Sequence, residues 1–118
     1  MPVHEVKNLN EFFMCAGEAN PLGKSVFYIY QDGTVSLHHA YDLISRECPN
    51  SKFYTISMDI CDDDFNEKYE VFSYPVFLVL KENKVLGNSS VSTKEGLVRL
   101  MKRSGVLDEK IDLTNTLQ

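Results

Sequence analysis

The stretch FYTISMDICDDDFNEKYEVFSYPVFLVLKENKVLG, residues 53–87, holds two apolar runs with a short acidic segment between them. From Lys52 to Ile60 the pattern alternates. Tyr54, Ile56, Met58 and Ile60 fall on one side and Phe53, Thr55 and Ser57 on the other, the period of a strand. Asp62, Asp63 and Asp64 then open a short helix, where the helix dipole favours acids. Tyr74–Leu80 is a second strand, and its opening proline has no amide to give to a ladder. Pro75 therefore belongs at a strand start or a fixed turn, and cis peptides are almost confined to proline. Residues 81–84, KENK, read as a hairpin turn, with 85–91 as the returning strand.

Outward from this stretch, residues 25–30, SVFYIY, form a continuous apolar run, as a strand covered on both faces does. Leu37, Ala40, Tyr41, Ile44 and Cys48 recur at helical spacing after it, and Pro49 stops that helix. Residues 2–6 suggest a short edge strand. Residues 8–18 predict a helix with Leu9, Phe12, Phe13 and Ala16 on its buried stripe and Asn8 or Asn10 at its start. Pro21 and Gly23 break the chain before the apolar strand. At the other end, Ser92 with Glu95 predicts a capping box for a helix that buries Leu97, Leu100 and Met101 and stops at Gly105.

A chain of 118 residues with 43% hydrophobic residues is one domain with a real core. Its net charge of −5, with no basic cluster, argues against a nucleic-acid partner. No run approaches the roughly 20 apolar residues that span a bilayer, and no secretory signal is visible. Cys15, Cys48 and Cys61 form no CxxC and have no metal-ligand spacing, so a reducing, cytoplasmic setting is expected. Adjacent His38 and His39 point about 100° apart on a helix and do not chelate together; His38 is placed to pair with Asp42 instead. Asn88-Ser89-Ser90 matches a glycosylation acceptor, read as chance without a secretory signal.

The element order is βαβαβα, then a hairpin and a last helix. It predicts a mixed sheet of about five strands with helices on both faces. Together with residues 53–87 it resembles the thioredoxin family: a strand ending in an acidic patch, a short helix, a loop, then a proline opening a hairpin. The resemblance spans about residues 3–105. It implies an α/β three-layer sandwich as a domain over 1–105, with 106–118 a tail that is a short helix or mobile. It also implies that Pro75, after Tyr74 and before Val76, is the family's cis-proline. Where the family carries Cys-Gly-Pro-Cys, this chain reads Asp32-Gly33-Thr34-Val35, and the family's buried acid falls at Val26.

Dithiol–disulfide exchange needs a thiolate attacker and a resolving thiol, and a helix N-terminus is where a cysteine is activated. Here Asp32, or Thr34, would cap the helix instead. The expected function is a redox-inactive, monomeric interaction module with no catalytic residue, cofactor or metal. A protein or peptide partner would dock in the groove between Asp32–Val35 and the loop of Tyr74, Pro75 and Val76, with Tyr28, Tyr30 and Tyr74 ringing it. The alternative is an atypical thiol oxidoreductase or glutathione-binding protein working through Cys61 or the Pro75 loop, which holds an extended peptide by strand addition. A third reading is a structural subunit whose partner surface is the acidic helix or the tail.

Overall fold

The computed structural model describes residues 3–17, 24–31, 37–82 and 84–113. Its strands are β1 (Val3–Val6), β2 (Ser25–Tyr30), β3 (Lys52–Ser57), β4 (Val76–Lys81) and β5 (Lys84–Ser90). Its helices are α1 (Leu9–Gly17), α2 (His38–Arg46), α3 (Asp63–Lys68) and α4 (Lys94–Arg103). The sheet order is β1-β3-β2-β4-β5, with β1, β3 and β2 parallel and β4 and β5 antiparallel to their neighbours. This is the mixed five-strand sheet the element order predicts. The central strands β2 and β4 are buried along nearly their whole length because each face is covered by helices.

The pleat sends alternate residues to opposite faces. Val26, Tyr28, Phe53, Phe77 and Val79 meet α2 and α4 in one core, and Phe27, Ile29, Tyr54, Ile56 and Leu78 meet α1 and α3 in the other. Asn8 caps α1 by accepting the Glu11 amide at 2.8 Å. Phe12 and Ala16 are buried on that helix, but Phe13 is 46% exposed, so the stripe is narrower than expected.

Three other expectations change. β3 ends at Ser57 rather than Ile60, because Met58–Ile60 form a 3-10 turn in which the Ser57 hydroxyl accepts the Asp59 amide. Thr93, not Ser92, caps α4, its hydroxyl accepting the Gly96 amide at 3.0 Å. Beyond Gly105 the chain does not leave the core. Residues 106–113 contain no helix, Leu107 and Leu113 are buried with the α2 and α4 side chains, and Val106 and Ile111 pack alongside. The packed unit thus extends past residue 105. The Pro21–Gly23 break lies outside the described residues.

Candidate peptide-binding groove

The loop from α3 to β4 is built from both ends. Asp62 caps α3 by accepting the Phe65 amide at 2.8 Å. At the other end Glu70 takes a left-handed conformation, φ 56°, and the Val71 amide reaches back to the Asn66 carbonyl at 2.8 Å. The Asn88 side chain donates to the Tyr69 carbonyl, and to the Glu70 carbonyl at 3.4 Å, which ties β5 to this turn. Val71 is buried beside α3, and Val76 is buried at the start of β4. Between them Phe72 stands 78% exposed, and Tyr74 and Pro75 are half-buried. The Tyr74–Pro75 peptide bond is cis, and the Ser90 hydroxyl donates to the Pro75 carbonyl at 3.0 Å.

Cys61 lies under this loop. Its thiol donates to the Ser57 carbonyl at 3.8 Å, and burial, helped by the Asp62 carboxylate, pushes its pKa up to about 12. The Tyr74 hydroxyl is also raised, by burial first and by Cys61 second, while a hydrogen bond from the Asn66 side chain works the other way. Cys48 is buried and raised to about 11, and all three cysteines are free.

Across the sheet, α2 starts at His38 with Leu37 as its N-cap, and no side chain makes a cap bond there. The cap of this helix is therefore neither Asp32 nor Thr34. Asp32, Gly33, Thr34 and Val35 themselves lie outside the described residues. His38 packs edge-on against Tyr28 and Tyr30, with ring centroids 5.0 and 5.1 Å apart. Its Nε2 and the Tyr28 hydroxyl are buried with no hydrogen-bond partner among the described residues. The expected His38–Asp42 pair does not form, because Asp42 pairs with Arg46 at 2.8 Å. Burial lowers the His38 pKa, against a smaller opposing pull from Glu5. Glu5 is held by the Tyr30 and Thr55 hydroxyls at 3.0 and 3.1 Å.

Tyr28 and Tyr30 thus belong to the α2 side of the sheet and Tyr74 to the α3 side, so the three do not form one ring. Sequence reasoning passed over Phe72, Asn66 and Ser90. An aromatic residue two positions before a Tyr-Pro pair was the available signal for Phe72; the Asn66 and Ser90 contacts need the folded hairpin. Among the described residues no His, Cys, Asp and Glu cluster could hold a metal ion, and no helix is long and apolar enough to cross a membrane.

This architecture is shared with solved thioredoxins. Thioredoxin f from spinach chloroplast superposes with a TM-score of 0.75 at 18% identity, covering 87% of this chain and 86% of that one. Plasmodium falciparum thioredoxin gives 0.74 at 16% identity, covering 85% and 97%. Mitochondrial thioredoxin 3 from Saccharomyces cerevisiae gives 0.69 at 18%, covering 88% and 92%. No protein-family model and no curated protein matches the sequence. The chain has the thioredoxin fold.

Proposed function

We propose that this chain is a redox-inactive, monomeric thioredoxin-fold interaction module. It docks a protein or peptide segment beside the Pro75 loop, with Asp32–Val35 as the opposite wall of the groove. The observation that carries the reading is the position of the thiols: Cys15, Cys48 and Cys61 are the only cysteines, and none stands between β2 and the start of α2. An exchange enzyme needs its attacking thiolate there, at a helix start that favours the anion. Cys61, the nearest alternative, is held in the opposite state. Burial, helped by the Asp62 carboxylate, keeps its thiol protonated rather than activating it. This weighs against an oxidoreductase or glutathione-linked role. The exposed Phe72 ring beside Tyr74 and Pro75 gives a partner an aromatic anchor of the kind found at interface centres. Three free thiols suit a reducing compartment, and we assign the chain to the cytoplasm.

Insulin reduction driven by dithiothreitol tests the redox half. The expected rate equals the protein-free background, with or without added glutathione, and turnover that disappears in Cys61→Ser overturns the reading. A photo-crosslinking residue at position 72, compared with one at position 109, tests the docking half in the native cell. Partner crosslinks from position 72 support the groove, whereas crosslinks confined to position 109 move the partner surface to the C-terminal segment.

A further inference from the structure

We propose that the outer edge of β5, with Arg99 and Arg103 of α4, binds an extended acidic peptide by strand addition. β5 lies at the end of the sheet and, among the described residues, pairs only with β4. A strand in that position presents unpaired backbone donors and acceptors, and proteins usually blunt such edges with charges, prolines or brevity. The opposite edge is blunted in this way: β1 has four residues, two of them His4 and Glu5. β5 is blunted less: its ladder to β4 has one register shift, at Leu86, but it keeps seven residues, no proline and one charged side chain, Lys84 at its start, while Val85 and Leu86 are 41% and 40% exposed.

The far end of the same edge runs into a cleft of about 290 Å³ between β5 and α4, lined by Ser89, Ser90, Thr93, Arg99 and Arg103 among others. Two of its hydroxyls are already engaged, Ser90 with the Pro75 carbonyl and Thr93 with the Gly96 amide. The two guanidiniums, one helical turn apart and exposed, have no ion-pair or hydrogen-bond partner among the described residues. They set the sign of the ligand. α4 carries four of the chain's twelve basic residues and one of its seventeen acidic ones, so this face is positive on an acidic protein.

A second copy fits poorly. Antiparallel pairing of two β5 edges brings Lys84 of one copy to the arginine end of the other, and parallel pairing sets the two arginine clefts side by side. Like charges across an interface disfavour both. An acidic strand meets no such conflict. Its backbone completes the β5 ladder, its apolar side chains lie on Val85 and Leu86, and its carboxylates reach Arg99 and Arg103. The site touches the loop between α3 and β4 through Ser90, bonded to the Pro75 carbonyl, and through Asn88, bonded to the Tyr69 and Glu70 carbonyls, so protection at 84–90 against 71–77 separates it from the groove reading.

A fluorescent peptide of alternating Glu and Val, compared with one of alternating Lys and Val, tests the proposal by anisotropy at low and high salt. The expected result is roughly tenfold or greater preference for the Glu peptide, lost as salt rises. Hydrogen exchange with the Glu peptide bound should slow at amides 84–90. Arg99→Glu with Arg103→Glu should weaken binding roughly tenfold or more at an unchanged melting temperature. The milder Arg99→Gln with Arg103→Gln pair should weaken it in the same direction and serves if the first pair folds poorly. Equal binding of both peptides, no loss in either double variant, protection confined to residues 71–77, or self-association through β5 instead of peptide binding would each overturn the proposal.

Discussion

The Tyr41 hydroxyl lies 2.7 Å from the Tyr54 carbonyl and 3.0 Å from the Val26 carbonyl, and it accepts the Tyr54 amide at 3.2 Å. It joins α2 to β2 and β3 through a group with no access to water. Removing it takes away these buried hydrogen bonds, so Tyr41→Phe should lose about 1–3 kcal/mol in urea unfolding. Tyr28 is as deeply buried, yet its hydroxyl has no partner among the described residues, and burial pushes its pKa up to about 12. The same change there removes an unmet cost, so Tyr28→Phe should be neutral or stabilising; a loss above about 1 kcal/mol would show that the hydroxyl is bonded. His38, in contact with Tyr28 and Tyr30, is held by burial below the usual histidine value of 6.5, against a smaller opposing pull from Glu5. The unfolded chain then binds a proton the folded one refuses. Stability from this group is complete above pH 6.5 and is lost as pH falls from there toward the lowered folded pKa. His38→Phe should lose less stability than the wild type between pH 7.5 and 5.5 in the same measurement.

Two helices end in the same way with different residues. α4 ends with the Gly105 amide on the Lys102 carbonyl and the Val106 amide on the Met101 carbonyl, and α3 with the Glu70 amide on the Glu67 carbonyl and the Val71 amide on the Asn66 carbonyl. The turning residue is left-handed in both, at φ 77° for Gly105 and 56° for Glu70. Only the glycine adopts that conformation without steric cost. Gly105→Ala should cost about 1 kcal/mol and Glu70→Gly should gain up to about 1 kcal/mol, both read from denaturation midpoints. At the start of α4, Thr93→Val should cost about 1 kcal/mol and Ser92→Ala almost nothing. Periodicity made each helix and strand legible in the sequence, but it does not separate two adjacent hydroxyls that differ by one residue of register. It also ran past Ser57. Met58 and Ile60 continue the alternation of β3 although the backbone has already turned, and an apolar residue looks the same in either setting. Pro75 was legible because a missing amide restricts where a proline sits in a sheet. The bond from Ser90 to the Pro75 carbonyl, the exposure of Phe72 and the pairing of Arg99 and Arg103 on one cleft were not, since each depends on how β5 lies against its neighbours.

For the molecule as a whole, the packed unit continues to Leu113. The segment after Gly105 reads as a polar tail because its apolar residues are spaced without helical or strand period, yet Leu107 and Leu113 are buried. Lys24 helps seat it, donating to the Gly105 carbonyl at 3.3 Å. Leu107→Ala should cost about 2–5 kcal/mol and lower the melting temperature, as for any core leucine, whereas the exposed Glu109→Ala should leave it unchanged. The strand order carries a further consequence for synthesis. β2 is the middle of the finished sheet, but both of its neighbours follow it in the chain, and β4 is complete only about fifty residues after Tyr30. At ribosomal rates that is on the order of several seconds during which a nascent Ser25–Tyr30 segment, uncharged and rich in aromatic and β-branched residues, has one or both flanks open. In the growing chain, the segment that becomes the best-shielded part of the protein is the one most in need of a chaperone.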